Sequence, residues 1–336
     1  MEEFSLRLKA GQMNEISCVG DEDQLLSVQE PPRVLVLIPA YNEERFIGSV
    51  VLSARHSADR VIVVDDGSND HTAQIARDGG ALVVSHKENY GKSAALSTGF
   101  ALARKLNPAA LVTLDGDGQH LPQELISVVA PILENRADLV IGSRYLGDEC
   151  KVPRHRMWGH IFISFITGSL SGITVGDSQS GYRAFSPDAI SKMYFHSTGF
   201  AVESEMQFLA REAGLRVIEV PITSCYLDKP KRSAFSHGFL VISGLVNLSK
   251  SYKPLMFFFI CGSISFLIGF LIDLLLFDLY SEPGALALGV KMFNSLLFAT
   301  GALGLFAGMI LHPIRLWLSD LKLLITERKS SSSGIM

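Results

Sequence analysis

Short apolar runs alternate with amphipathic segments through the first two thirds of the chain. The runs are continuous rather than alternating, which is typical of strands that are buried on both faces of a sheet. They cover residues 34–39, 61–65, 81–84, 110–115 and 138–142. Segments with helical spacing lie between them, at residues 45–58, 72–78, 92–105 and 122–135. This order predicts an α/β domain with a mostly parallel sheet and helices on both faces.

Two much longer apolar stretches follow near the C-terminus. Residues 255–277 contain a single charged residue, Asp273, and residues 292–311 contain none. About 20 apolar residues suffice to cross the hydrocarbon core of a bilayer. Since two such stretches in tandem are rare in soluble cores, we predict two transmembrane helices joined by a short loop.

Positive charges flank the outer ends of these two stretches. They are Lys250, Lys253, Arg315, Lys322, Arg328 and Lys329. The intervening loop, residues 278–291, contains only Lys291 beside two acidic residues. By the positive-inside rule, we predict an integral protein of the cell membrane with the α/β domain and both termini in the cytoplasm.

The remaining segments complete the predicted domain order. Residues 1–32 carry seven acidic residues against Arg7 and Lys9, without the apolar segment of a signal peptide, so we predict a flexible acidic tail there. The predicted order is the tail at 1–32, the α/β domain at 33–234, an amphipathic juxtamembrane helix at 235–253, the transmembrane pair at 254–312 and a cytoplasmic tail at 313–336.

Composition and charge exclude several classes of protein. The 336 residues are 48% hydrophobic and only 19% charged, whereas a soluble domain carries about 25% charged residues. A net charge of -4 gives no reason to expect a nucleic-acid partner. The four cysteines are scattered, without a CxxC pair, which argues against a disulfide framework or a structural zinc site.

Small, polar or charged residues follow all five predicted strands of the α/β domain. The motifs are PAYNEE (39–44), DDGSNDHT (65–72), ENYGKS (88–93), DGDGQH (115–120) and GSRY (142–145). In open α/β sheets, ligands bind beyond the carboxyl ends of the strands. We therefore predict one ligand site along this edge of the sheet.

The DGDGQH motif is the clearest candidate for chemistry. Asp115 and Asp117 are two residues apart, so in an extended chain their carboxylates lie on the same side, and Gln119 continues the series. Gly116 and Gly118 allow a ligand to approach the backbone closely. Two carboxylates together with substrate phosphates suit Mg²⁺ or Mn²⁺, which would neutralise a diphosphate leaving group. The alternative is an acidic turn without a ligand.

Three other strand ends carry single candidate residues. Asp66 could accept a hydrogen bond from a nucleobase, or else serve the turn before the next helix. Lys92 opens a helix, but a P-loop would need glycine at the position of His86, so we exclude a P-loop NTPase. Lys92 either helps to bind a phosphate or is a solvated residue at the start of its helix. Arg144 is suited to bidentate recognition of a phosphate.

A basic cluster precedes a further apolar segment. Arg154, His155 and Arg156 stand just before the apolar residues 161–170. The segment is either a core helix or an interfacial helix that lies on the membrane and brings a lipid phosphate toward the arginines. The sequence favours neither interpretation.

Small residues form a row in the second predicted transmembrane helix. Gly304 and Gly308 are four apart, and Thr300 lies one turn earlier. Small residues at this spacing let helix backbones approach closely in lipid. The row predicts either packing against the first transmembrane helix of the same chain or contact within a homo-oligomer. Asp273 and Asn294 indicate a polar contact as well, because polar groups inside membranes pair with one another.

Together the strand-end motifs resemble glycosyltransferase family 2, with its GT-A fold, and within it the polyprenyl-phosphate sugar synthases such as the dolichyl-phosphate mannose and glucose synthases. The resemblance covers about residues 33–253 and extends to DSQSGYRAF (177–185) and GFAVESEM (199–206). It implies a Rossmann-like GT-A domain. It also implies inverting transfer of a sugar from a nucleotide-sugar to a polyprenyl or dolichyl phosphate at the cytoplasmic membrane face. A UDP-sugar is the favoured donor and GDP-mannose the alternative.

The resemblance also implies which residues bind the donor. The residues implied for the nucleotide-sugar are Pro39, Tyr41, Glu43, Val64, Asp66, Asp115, Gly116, Asp117 and Gln119. Among these, Asp115, Asp117 and Gln119 would hold the metal, Mg²⁺ or Mn²⁺. Lys231 and Arg232 stand where the family places basic residues against the diphosphate, but their spacing departs from its usual pattern.

The acceptor side of the reaction is implied in the same way. Arg144 and Arg156 would hold the acceptor phosphate, and the implied catalytic residues are Asp117, Arg144 and Asp177. Asp177 is either a general base or an organising residue. A lipid phosphate is already ionised at pH 7, so positioning and charge neutralisation suffice for its attack on the anomeric carbon.

Two other functions compete with this one. A processive polysaccharide synthase normally carries a QxxRW motif, which is absent from the sequence, and two helices cannot form its channel. A membrane-anchored GT-A scaffold without activity would have no need of Asp115, Asp117 and Arg144, which are all present. The expected partners are therefore a nucleotide-sugar, a polyprenyl or dolichyl phosphate and the lipid bilayer.

Overall fold

The computed structural model describes residues 2–6, 16–20, 30–147, 154–195, 201–224, 243–249, 252, 254–275 and 285–333. These residues belong to two compact units, Met1–Leu245 and Val246–Met336. Lys231, Arg232 and most of the predicted juxtamembrane helix lie outside the described residues, which include only a short helix at 243–249 and Tyr252 from that segment.

One nine-stranded sheet organises the described part of the first unit. Its strands are β1 (Glu2–Leu6), β2 (Ile16–Gly20), β3 (Val34–Ala40), β4 (Arg60–Asp65), β5 (Leu82–His86), β6 (Ala110–Thr113), β7 (Leu139–Ser143), β8 (Arg183–Phe185) and β9 (Val217–Pro221). Their order across the sheet is β1-β2-β5-β4-β3-β6-β8-β7-β9. The five strands expected from the apolar runs are β3, β4, β5, β6 and β7.

Parallel pairing dominates the centre of the sheet. Strands β5, β4, β3 and β6 are parallel neighbours, and β7 pairs in parallel with β9. Strand β8 is antiparallel to both β6 and β7, between which it lies. The predicted mostly parallel sheet is therefore confirmed, with the insertion of β8 as an addition that the apolar runs did not indicate.

Helices cover both faces of the sheet. In chain order they are α1 (Ile47–Ala54), α2 (Thr72–Asp78), α3 (Lys92–Leu106), α4 (Leu125–Leu133), α5 (Arg154–Ser171), α6 (Pro187–Lys192) and α7 (Val202–Glu212). Leu35 and Leu37 of β3 belong to an apolar cluster with α3, α6 and α7. Val36 and Ile38 belong to the cluster on the opposite face, with α1, α2 and α4. This alternation explains why the strands read as continuous apolar runs.

The N-terminal segment contains strands where the sequence indicated a flexible tail. Strands β1 and β2 are antiparallel, with Phe4 opposite Cys18 and Leu6 opposite Ile16. Strand β2 then continues the sheet, with Cys18 opposite His86 of β5. The difference has a physical reason, because apolar residues at alternate positions favour a strand, and the acidic residues around them concealed that pattern.

The second unit contains two long apolar helices, α8 (Pro254–Leu275) and α9 (Ala285–Ser333). Their segments Phe257–Leu275 and Leu288–Leu311 are long and apolar enough to cross a membrane. Helix α9 extends about six turns beyond the predicted end of the second span, through Pro313. The extension is consistent with its sequence, because Ile314, Leu318 and Leu321 continue an apolar row at helical spacing.

The small residues of α9 lie against α8 of the same chain. An added Cβ at Gly304 would lie 3.6 Å from the Phe258 carbonyl oxygen, and one at Gly308 would lie 3.0 Å from Phe258 Cβ. Asn294 donates a hydrogen bond from Nδ2 to Asp273 Oδ1, so the expected polar contact is also present within the chain. The intrachain interpretation of the small-residue row accounts for these contacts, and self-association stays a prediction.

Replacing Gly262 by alanine should weaken the pairing of α8 and α9. The new Cβ would lie 2.8 Å from the Gly301 carbonyl oxygen, closer than a carbon atom approaches backbone oxygen. We expect a loss of about 1–3 kcal/mol in unfolding free energy, the usual effect of overpacking. Denaturation in mixed micelles measures this, with Gly304→Ala as the matched control, because its Cβ meets only ordinary contacts. Equal stability of both variants would contradict the packing described.

Candidate active site

The loops after β3 and β4 interlock at the carboxyl edge of the sheet. The backbone N–H of Asn42 donates to Ser68 Oγ at 2.9 Å, and that of Asn69 donates to Asn42 Oδ1 at 2.9 Å. The N–H of Glu43 donates to Thr72 Oγ1 at 2.8 Å. Asn42 has a φ of 52°, a left-handed conformation that asparagine tolerates well. These bonds hold the PAYNEE and DDGSNDHT motifs together as one wall of the site.

Asp66 secures the loop that leads into α3. Its carboxylate is buried and lies 2.7 Å from His86 Nδ1. It also accepts hydrogen bonds from the backbone N–H groups of Tyr90, at 3.0 Å, and Gly91, at 2.7 Å. The contacts of Asp66 in the structure are thus internal to the protein, and a nucleobase contact would have to share the same carboxylate.

Asp115 stands at the centre of an ion-pair network. Lys92, the first residue of α3, places its Nζ 2.6 Å from Asp115 Oδ1 and 2.7 Å from Glu203 Oε1. Burial alone would raise the pKa of the Asp115 carboxyl, but the charge of Lys92 and its hydrogen bond hold that pKa below its ordinary value. Asp115 is therefore an anion at neutral pH, and Lys92 is an internal counter-ion rather than a solvated residue.

Asp117 has the opposite electrostatic environment. Burial, together with the negative charge of Asp115, raises the pKa of the Asp117 carboxyl to about 6. The Gln119 N–H donates to Asp117 Oδ1 at 3.0 Å, and Gly118 has a φ of 72°, which favours glycine at the turn. Two crowded carboxylates of this kind are stabilised by a cation between them.

A divalent metal fits this pair of carboxylates. Magnesium and manganese prefer oxygen ligands and are commonly held by one or two carboxylates plus substrate phosphates. Within the described ranges, no group of three or more His, Cys, Asp or Glu side chains is placed to bind a metal on its own. Asp115 and Asp117 would therefore need oxygen atoms from the substrate or from water to complete the coordination.

Gly181 makes room for the Asp115 carboxylate. A Cβ added at this position would lie 2.5 Å from Asp115 Oδ2. We expect Gly181→Ala to displace the carboxylate and to lower turnover by about 100-fold, since misplacing a catalytic group by about 1 Å has an effect of that size. Turnover of the folded variant measures this. Gly159→Ala serves as the control, because nothing lies within 4 Å of its added Cβ; similar activities in the two variants would contradict the expectation.

Arg144 and Asp177 form a bidentate ion pair beside the acidic pair. Arg144 Nε lies 2.6 Å from Asp177 Oδ2, and Nη2 lies 2.7 Å from Oδ1. Glu219 of β9 accepts the backbone N–H groups of Gly176 and Asp177 and so fixes the loop. Burial would raise the pKa of the Asp177 carboxyl, but Arg144 lowers it below its ordinary value. Of the two roles left open for Asp177, this geometry favours the organising role over the general base.

Arg183 was not singled out by sequence reasoning, although it lies in the DSQSGYRAF motif. Its side chain is fully buried on β8 and donates to the carbonyl oxygens of Ser178, Ser180 and Glu203 at 2.6–2.8 Å. Burial lowers the pKa of Arg183 to about 10, so it is still charged at pH 7. Arg183 therefore ties the loop after Asp177 to the start of α7, which carries Glu203.

His120 is a second buried residue at the site that the sequence analysis did not assign. Its Nε2 lies 3.9 Å from Asp115 Oδ2, and its Nδ1 is buried without a hydrogen-bond partner in the described part of the chain. Burial lowers the pKa of the His120 imidazole to about 4. The ring is therefore neutral at pH 7 and adds no positive charge beside the acidic pair.

The other residues implied for ligand binding fall in different environments. Tyr41 is exposed at the edge of the sheet, and Glu43 and Gln119 are half-buried there. Val64 is fully buried in the core, so its side chain is not available to a nucleotide and only its backbone could contribute. Pro39 lies opposite Val64 on β3.

The second arginine proposed for the acceptor is only partly described. Arg156 lies in the first turn of α5. Its side chain is outside the described residues, so the expectation that it holds a phosphate stays a prediction. Gly116 is buried next to Ile38 and Ile47 and has room for a Cβ at ordinary contact distances.

Comparison with known proteins identifies relatives of this chain. The family model for glycosyl transferase family 2 matches residues 35–194. The chain is 33% identical to the UDP-N-acetylglucosamine–dolichyl-phosphate N-acetylglucosaminyltransferase of Methanococcus voltae, over 58% of this chain and 86% of that protein. It is 32% identical to the polyprenol monophosphomannose synthase of Mycolicibacterium smegmatis, over 61% of this chain and 82% of that protein.

A solved structure has the same fold. The crystal structure of glucosyl-3-phosphoglycerate synthase from Mycobacterium tuberculosis, in complex with Mn²⁺, UDP and glucosyl-3-phosphoglycerate, matches with a TM-score of 0.53 and 23% identity. The match covers 67% of this chain and 82% of that chain. Together with the family match, it confirms the predicted GT-A type of α/β domain.

Proposed function

Because the chain belongs to glycosyl transferase family 2, we propose that it transfers a sugar from a nucleotide-sugar to a polyprenyl or dolichyl phosphate. The observation that carries the proposal is the pairing of two groups at one edge of the sheet. One is the acidic pair Asp115 and Asp117, and the other is Arg144, held by Asp177. Arg144 lies close enough to Asp115 to lower the pKa of its carboxyl. The site thus offers one position for a diphosphate with its cation and another for a phosphate.

The names of the relatives support the acceptor and the donor. Both curated relatives are named for transfer to a lipid phosphate, dolichyl phosphate in one and polyprenol phosphate in the other. The Methanococcus relative is named for UDP-N-acetylglucosamine, which supports our preference for a UDP-sugar. The mannose synthase keeps GDP-mannose as the alternative donor.

The proposed mechanism uses positioning and charge rather than a strong base. A divalent cation held by Asp115 and Asp117, with Gln119 beside them, would neutralise the charge that develops on the departing diphosphate. Arg144 would orient the acceptor phosphate, and Asp177 would keep the guanidinium in place. A phosphate oxygen, already ionised at pH 7, then attacks the anomeric carbon from the side opposite the leaving group, which inverts its configuration.

The two apolar helices of the second unit support a location at a membrane. A chain that carries two candidate spans is held at the surface where a polyprenyl phosphate resides. The positive charges outside the spans support a cytoplasmic orientation of the catalytic unit and of both termini.

The function is tested by incubating membranes that contain the full chain with polyprenyl phosphate and a panel of labelled UDP- and GDP-sugars. We expect one donor to give label in the lipid extract, and EDTA to abolish that signal. Label in a long polymer would instead indicate a processive synthase. A chain that binds nucleotide but transfers no sugar from any donor would indicate a non-catalytic scaffold.

A further inference from the structure

Helix α5 presents an apolar face to the outside of the first unit. Its large side chains Trp158, Ile161, Phe162 and Phe165 are 67%, 41%, 57% and 72% exposed. Their spacing of three, four and seven residues places all four on one side of the helix. We call these four residues the α5 stripe. Four large apolar side chains in one exposed row are unusual for a surface that faces only water.

The opposite face of α5 is built into the candidate active site. Ser164 Oγ accepts the backbone N–H of Ser178 at 3.0 Å, next to Asp177. His160 Nδ1 lies 2.7 Å from the hydroxyl of Tyr145, the residue after Arg144. Helix α5 therefore connects the exposed α5 stripe to both partners of the Arg144–Asp177 pair through one layer of side chains.

We propose that the α5 stripe docks on the surface of a lipid bilayer with anionic headgroups. Arg154, His155 and Arg156 open the same helix, which places basic residues at one end of the apolar row. An apolar face with aromatic residues beside basic ones is the composition of helices that lie in the membrane interface. The two candidate spans of the same chain keep it at a bilayer. Of the two interpretations of residues 161–170, the proposal favours the interfacial one.

Docking of the α5 stripe also gives the site its access to the acceptor, a step that rests on the proposed function. The headgroup region would lie against the helix that positions Arg144 and Asp177. A polyprenyl phosphate could then present its phosphate to Arg144 while its chain stays among the lipids. The stripe would therefore contribute to the use of long-chain acceptors and not to donor binding.

Tryptophan fluorescence tests the docking without any need for activity. The chain contains two tryptophans, Trp158 and Trp317, so Trp317→Phe leaves Trp158 as the single reporter. The full chain is placed in vesicles of phosphatidylcholine and phosphatidylglycerol, with or without bromine on the acyl chains. We expect brominated lipid to quench Trp158 by at least half, and aqueous iodide to quench it weakly.

A matched reporter controls for quenching at any exposed site. Ile126 of α4 is 64% exposed, similar to Trp158, but no basic cluster adjoins it. The variant Ile126→Trp/Trp158→Phe/Trp317→Phe should be quenched by iodide and not by brominated lipid. Quenching of Trp158 by iodide alone would overturn the proposal. So would protection of Trp158 from both quenchers, which would mean that a protein surface covers the stripe.

Acceptor kinetics test the consequence for the reaction. In the full chain, Phe162→Gln/Phe165→Gln should raise the KM for a long polyprenyl phosphate about 10-fold, because lost apolar area weakens interfacial binding. The KM for the donor, and activity on a short water-soluble prenyl phosphate, should be unchanged. Leu52→Gln, at an exposed position of α1, is the matched control. If the variant lost equal activity with the long and the short acceptor, a docking role would be contradicted. If the wild type transferred sugar to neither acceptor, that result would count against the proposed function alone.

Discussion

Replacing Asp117 by asparagine should lower turnover by about 100- to 1,000-fold, the usual effect of removing one group that stabilises developing charge. The same change should not lower thermal stability. Burial and the charge of Asp115 raise the pKa of the Asp117 carboxyl to about 6, so at pH 7 and above the folded protein holds an ionised group in an unfavourable environment. Asparagine keeps the oxygen that accepts the Gln119 N–H while it removes the charge.

Two measurements on this variant separate a functional from a structural role. Turnover should fall and the unfolding temperature should stay the same or rise. Binding of Mn²⁺ in the presence of UDP, followed by electron paramagnetic resonance, should weaken as well. Asp188→Asn is the control, because Asp188 is an exposed acid whose carboxylate lies 2.8 Å from Lys192 Nζ on the same helix. Full activity of Asp117→Asn, or activity of the wild type in EDTA, would overturn the assignment of the acidic pair.

The acidic pair could be located from sequence because its geometry is local. Strand β6 ends at Thr113, and the buried Leu114 is followed by residues 115–118, which alternate Asp and Gly, so one strand and one turn suffice to place Asp115 and Asp117. The same is true of Arg144 after β7 and of the loops after β3 and β4. The chain order of strands and helices also follows from local periodicity, since the period of the apolar residues differs between strand and helix.

The partners of these residues could not be located in the same way. Glu203 lies 88 positions after Asp115, and nothing in its surroundings indicates that α7 brings it to Lys92. Gly181 lies against Asp115 because β8 lies between β6 and β7. The order of strands across a sheet is not encoded in local periodicity, so this contact could not be predicted. Sequence reasoning therefore placed the candidate residues at one edge of the sheet but did not find the ion pairs that fix their side chains.

The assignments of Asp66 and Val64 illustrate a second limit. Both were expected to contact the nucleotide. The side chain of Val64 lies in the core, however, and the Asp66 carboxylate contacts His86 Nδ1 and accepts the backbone N–H groups of Tyr90 and Gly91. A motif does not say whether its residue contacts a ligand or shapes the loop around it. Asp66 fixes the loop into α3, which carries Lys92, and its expected contact with a nucleobase stays a prediction.

Replacing Arg144 by lysine should lower kcat/KM for the polyprenyl phosphate by about 100-fold, within the range for loss of one preorganised donor group. Lysine keeps the positive charge but loses the planar fork that matches both carboxylate and phosphate oxygens. The fork is used in the structure, since Nε and Nη2 each bind one oxygen of Asp177. Donor affinity should change little, because the proposed diphosphate position depends on Asp115 and Asp117.

The comparison of acceptor and donor constants decides whether Arg144 acts on the acceptor or only supports the fold. Removing Asp177, by Asp177→Asn, should also impair acceptor use, because the guanidinium would lose the carboxylate that orients it. Breaking a buried ion pair in this way typically costs about 3–5 kcal/mol of stability. Arg144→Lys keeps a positive charge beside Asp177, so its unfolding free energy should remain close to that of the wild type. Arg136→Lys, in the exposed pair with Glu134, is the control for the substitution itself. If Arg144→Lys instead lost UDP binding and kept its KM for the lipid phosphate, Arg144 would belong to the donor side, and the phosphate position would have to be sought nearer α5.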